Sequence, residues 1–136
     1  MTTRTATDRR TQLRALSRAL RDVHRSLVEF SRERYELANG AVHGKTALLD
    51  LLLNDEAFAW LRPLSKIIVE IDELATRKTA PTAKETEEIR ARAEALTTSS
   101  RDRDAFGSRY VALLASEPRI AMNHGELRAA VAPSPN

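Results

Sequence analysis

Between Asp8 and Ala38 an apolar residue returns at alternating steps of three and four: Leu13, Leu16, Leu20, Val23, Leu27 and Phe30. A strand cannot hold that spacing on one face, because its side chains alternate with period two, whereas a helix gathers all six on one seam. The stretch predicts one long amphipathic helix. Its seam must be buried against other helices of the chain or against a second copy, since heptad-like spacing also suits a coiled-coil dimer. Asn39 and Gly40 supply a residue tolerant of positive φ, which ends the helix, and a loop runs on to Gly44.

The rest of the chain fits the same class. Aromatics make up only 4% of the 136 residues, so the core must be mainly Leu, Ile, Val and Ala. With only 4 Gly and 5 Pro, helices are favoured over many-turned β folds. Thr46 to Leu53 reads as a short apolar helix. Asn54 is placed to cap a third, reaching to about Arg77, with Asp55 and Glu56 in its first turn and a kink near Ala59 imposed by Pro63. Thr82 with Glu85 forms a capping-box pattern for a fourth helix ending near Leu96, expected on the outside because only Ile89 and Leu96 can face a core. A fifth is expected from Asp102 to Pro118, with Phe106, Tyr110, Val111, Leu113 and Leu114 inward. A short sixth is expected from a cap at Asn123 to Glu126. The expectation is therefore an all-α bundle of about four main helices plus one or two short ones, mostly up-and-down, in a single domain spanning 1–136, with about 1–7 and 132–136 disordered.

Composition excludes several classes of function. With 0 Cys there is no disulfide, thiolate metal site or cysteine nucleophile. Charged residues interrupt the apolar stretch from Ala47 to Leu74 well before the ~20 apolar residues of a membrane span. The first ten residues carry no apolar stretch of a secretory signal, and a cytoplasmic setting is expected. Gly40 to Thr46 superficially resembles a phosphate-binding P-loop, but three residues separate its glycines where four are needed, and a helix precedes it where a strand should. Lys45, Thr46 and the free N–H groups of the following helix could still hold an anion.

Three sets of residues are candidates for a site. Arg14, Arg18, Arg21, Arg25 and Arg32 share a stripe opposite the apolar seam, which could follow a phosphate backbone or simply be a solvated face laced with ion pairs to Asp22, Glu29, Glu33 and Glu36. His24 and His124 could converge on a metal or haem, or each could be a half-buried histidine bonded to a neighbour. Arg34 continues the seam beyond Leu27 and needs a partner. Asp72 or Glu73, within the acidic run from Glu70 to Glu73, would supply one and align the first and third helices. Alternatively the seam opens there into a pocket in which Arg34 binds an acidic ligand. Asp50, Asp55, Glu56 and the Glu70 to Glu73 acids could supply a carboxylate metal site, but Asp55 and Glu56 are explained by the helix dipole alone. No hydrolytic constellation stands out, and no cofactor is implied. The leading expectation is a non-enzymatic helical protein that acts through protein contacts and self-association as a homodimer. Nucleic-acid or anion binding is the second reading, and a haem or metal carrier the third.

Overall fold

The computed structural model describes residues 5–98 and 105–133. It is all helical: α1 (Ala6–Asn39), α2 (Gly44–Asn54), a 3-10 helix (Glu56–Leu61), α3 (Arg62–Thr76), α4 (Ala83–Thr98), α5 (Ala105–Ser116) and α6 (Pro118–Val131). Expectations for residues 1–4, 99–104 and 134–136, including a helix start at Asp102, lie outside the described residues. Residues 5–7, expected to be disordered, instead open α1. The Thr5 hydroxyl accepts from the Asp8 N–H while the Asp8 carboxylate accepts from the Thr5 N–H, a reciprocal cap that satisfies two otherwise orphaned donors.

α1 is the axis of the bundle. Leu13, Leu20, Val23 and Leu27 are fully buried and Leu16 nearly so. The elements that cover them are α3 on one flank and α6 on the other. From Leu13 to Leu27 the seam is therefore consumed within the chain, and of the seam expected to pair with a second copy only Phe30, half-buried, keeps accessible surface. α1 and α3 run antiparallel: Arg10 donates to the Ala75 carbonyl, Ser17 to Asp72, and His24 bonds Ser65. α6 is also antiparallel to α1, with Arg119 on Glu33 and Asn123 on the Asp22 carbonyl. α3 and α4 oppose each other through Arg77–Glu85 and Arg92–Glu70.

Two helix starts differ from the sequence expectation, each because a proline opens the helix. Asp55, not Asn54, caps the segment after α2, its carboxylate accepting from the Ala57 N–H. Asn54 instead donates back to Asp50. The chain then takes a 3-10 helix, and Pro63 stands in the first turn of a new helix, α3, where its missing N–H breaks no bond. Likewise Pro118 opens α6 directly, so Asn123 to Glu126 lie inside that helix instead of capping it. The Thr82 and Glu85 capping box forms as expected. There Arg77 holds the Glu85 carboxyl down to about 2, with help from the Thr82 N–H.

α4 does more than cover the outside. Besides Ile89 it buries Ala93, Thr86, Thr97 and the charged Arg90, while Leu96 is only half-buried. Arg90 binds Glu87 and Glu94 on its own helix and donates to the Val131 carbonyl at 2.5 Å, fastening the end of α6. A buried guanidinium is tolerable only with its charge balanced and its donors engaged. The acids three residues before it and four after meet that condition. This spacing is visible in the sequence.

Candidate functional site

The sequence singled out Arg34, and the structure places it far from the acids expected to pair with it. Because α1 and α3 are antiparallel, Asp72 lies level with Ser17 and Arg21, some 13 to 17 residues earlier on α1. At about 1.5 Å per residue that is ~20 Å or more from Arg34. Asp72 is claimed by the Ser17 hydroxyl at 2.6 Å and by the Arg21 guanidinium. Glu70 takes both terminal nitrogens of Arg92. Glu73 lines a shallow groove between α3 and α4 with Arg77, Glu85 and Arg92. The predicted Arg34 ion pair is thus corrected to an Arg21–Asp72 tie, which performs the aligning task one end of the bundle away.

Arg34 instead borders a cleft of about 530 Å³ between the last turns of α1, the 3-10 helix and α5. Phe30, Tyr35, Trp60 and Leu113, all half-buried, form its apolar walls. Trp60 stacks on the fully buried Phe106, centroids 5.7 Å apart, which in turn stacks on Tyr110. That column joins the wall to the core and holds the indole in place. Two cations stand at the cleft. The Arg34 guanidinium lies over the Phe30 ring at 5.7 Å, and that of Arg109 over the Trp60 ring at 5.4 Å. Among the described residues no carboxylate lines the cleft. Arg109 was not singled out in the sequence, although its position three residues after Phe106 and beside Tyr110 places it on the border of α5's apolar face.

The arginine stripe of α1 is divided among different tasks. Arg21 turns to α3, while Arg25 is exposed and lies 3.8 Å from Asp22. Arg32 reaches the Val42 carbonyl and Glu36, whose carboxylate also accepts from the Val42 N–H, so these residues close the loop after α1. Among the described residues only Arg14 and Arg18 of the stripe are exposed with no acidic partner.

The two candidate histidines are turned to different neighbours. His24 bonds the Ser65 hydroxyl of α3 at 2.9 Å, and His124 the Tyr110 hydroxyl at 2.7 Å. His24 lies about 200° around α1 from Asp22 and Ser26, which Asn123 of α6 grips. α1 thus stands between them. Burial lowers both imidazole pKa values, with Arg21 adding to the effect at His24 and Arg128 at His124. The contact of His24 with Ser65 resembles part of a hydrolytic set, but among the described residues no carboxylate is hydrogen-bonded to that imidazole. Nor do the described residues gather three or more metal-binding side chains.

α2 is the other unusual feature. Leu48, Leu49, Leu51, Leu52 and Leu53 crowd its eleven residues, yet none of its residues is buried. Leu49 is 55% and Leu53 63% exposed, and Leu37, near the end of α1, is 85% exposed. Leu49 and Leu53, four apart, share one face. The helix rests mainly on the 3-10 helix, with Gly40 and Gly44 at positive φ shaping the loop that delivers it. Lys45 and Thr46 are exposed in its first turn. No helix among the described residues is long and apolar enough to cross a membrane. No family model, curated protein or solved structure matches the chain, so the class is defined by the fold alone: an all-α helical bundle.

Proposed function

We propose that this chain is a non-enzymatic helical-bundle protein that works by docking on protein surfaces, a second copy of itself foremost, through the outer face of α2. The observation that supports this reading is the exposure of Leu49 and Leu53 on a helix built largely of leucine. Fully burying an exposed leucine is worth about 1.5–3 kcal/mol, of which roughly half remains to be gained at Leu49 and Leu53, whereas the exposed apolar residues of α1, α3 and α6, namely Leu37, Val69 and Met122, stand singly on their helices. Two copies of α2 packed about a two-fold axis would cover Leu49 and Leu53 reciprocally, as an isologous contact requires. A helix of 11 residues is only about 16 Å long. The pair alone therefore falls short of the ~800 Å² per partner of a standard interface, and association should depend on concentration.

Light scattering coupled to size-exclusion chromatography tests this. The expected result is a mass that rises from monomer towards dimer with concentration and stays monomeric in the Leu49→Ser/Leu53→Ser variant. A wild-type protein that remains monomeric at all concentrations, or a variant that dimerises equally well, overturns the self-association.

A further inference from the structure

We propose that the cleft between α1, the 3-10 helix and α5 binds a small organic anion with a flat aromatic body, its acid group held by Arg34 and Arg109. The site is independent of the α2 face and exists within one copy of the chain.

Charge is the first argument. Most guanidiniums of the described residues have an acceptor: Arg21, Arg32, Arg77, Arg90, Arg92 and Arg119 reach carboxylates. Others, such as Arg10 and Arg62, reach carbonyls. Arg34 and Arg109 contact only a ring face each. A ring contact supplies no hydrogen-bond acceptor, so the N–H donors of these guanidiniums remain available to grip a carboxylate or phosphate. Two such cations beside a cleft that no carboxylate of the described residues lines raise the local potential for an anion.

Neither arginine is needed to offset a helix end. Both stand more than a turn from the C-terminus of their helix, beyond the reach of the macrodipole. At the end of α1 the Gly40 N–H donates to the Glu36 carbonyl and the Asn39 side chain to the Tyr35 carbonyl, so neither task falls to Arg34.

Shape is the second argument. A cleft of about 530 Å³ lies within the range of small-molecule sites. Trp60, Tyr35, Phe30 and Leu113 give it apolar walls, and the stack of Trp60 on Phe106 fixes one of them in advance. A flat apolar body gains from this wall, whereas inorganic phosphate alone would use only the two cations.

Trp60, the only tryptophan, reports directly on occupancy. The probe is 8-anilinonaphthalene-1-sulfonate, with N-phenyl-1-naphthylamine as the same ring system lacking the acid group. The full chain should bind one sulfonate per copy with quenching of Trp60 emission, and should bind the neutral analogue at least about tenfold more weakly. The Arg34→Gln/Arg109→Gln variant, altered only at exposed side chains, should lose about tenfold in affinity for the sulfonate and none for the neutral analogue. The Leu49→Ser/Leu53→Ser variant should bind as the wild type does. Equal affinity for the two probes, an undiminished sulfonate affinity in the arginine variant, or binding that leaves Trp60 emission unchanged and disappears with the α2 leucines overturns the site. None of these outcomes bears on dimerisation.

Discussion

The two ends of α1 obey opposite rules. From Leu13 to Leu27 its apolar seam is enclosed by α3 and α6, and the polar groups alongside are spoken for: Ser17 and Arg21 by Asp72, His24 by Ser65, Ser26 by Asn123. Beyond Phe30 the enclosure opens. Arg34 faces a cleft, Leu37 is in solvent, and the helix that follows keeps Leu49 and Leu53 exposed. A packed interior resists substitution because every atom there has neighbours, whereas surface left unsatisfied costs stability and is retained where something binds it. The difference separates what makes this protein fold from the surface on which the proposed contacts would form.

The sharpest way to break that division is to truncate a leucine at each end. Leu20→Ala removes a fully buried side chain and should cost about 2–5 kcal/mol in urea unfolding, the range for cavities in a core. Leu53→Ala should change the stability of the monomer by less than about 0.5 kcal/mol. Comparable losses at both sites would show that α2 belongs to the core. Arg90→Met comes next. It strips Glu87 and Glu94 of their partner and leaves the Val131 carbonyl without its donor. Because both acids remain solvent-accessible, the loss should be about 1–3 kcal/mol, with amide exchange accelerating first at the end of α6.

The enclosed end was largely legible in the sequence, whereas at the open end the sequence left two readings of Arg34, an ion pair or a pocket, for a physical reason. Burial of Leu13, Leu16, Leu20, Val23 and Leu27 follows from helical periodicity, a local property of α1. The partner of Arg34 depends on the direction and level of another helix, and periodicity carries neither. Once α3 is known to descend past α1, Asp72 can meet only the level of Ser17 and Arg21, and the cleft at Arg34 follows. The caps at Thr82 and Glu85 could be read because both partners lie three residues apart. Pro63 misled because a proline that opens a helix and one that kinks it look alike until the preceding turn is known, whereas Pro118, read as the stop of the fifth helix, does end α5 and also opens α6. Arg109 was missed because its ring partner, Trp60, lies on a distant element.

A milder test at the boundary between the two regimes is Asp72→Ala. Ser17 is buried and keeps its hydroxyl, so losing the acceptor should cost about 1–2 kcal/mol. Asp72→Asn should recover part of this through the bond to Ser17, although Arg21 loses its charge partner. If Asp72→Ala has no effect, the tie does not hold the register between α1 and α3.

The smallest expected effect is a pH dependence confined to the enclosed end. Burial, reinforced by Arg21, lowers the pKa of His24 below its ordinary 6.5, so in the folded chain the imidazole protonates only at lower pH than in the unfolded chain. Between those two values the unfolded state holds the extra proton, and stability falls as pH falls. Above about 6.5 both states are neutral and the contribution is fully retained. The urea midpoint should therefore decline as the buffer is taken from neutrality through 6.5, before carboxylates such as Glu85, held down to about 2, begin to matter. His24→Gln, which keeps a hydrogen-bonding group for Ser65 and cannot titrate, should flatten that decline. His124 is shifted in the same direction and should account for most of the slope that remains in the variant. An unchanged slope in the variant would mean that His24 is hydrated in the folded protein and that the enclosure of α1 already loosens at its level, three turns before Arg34.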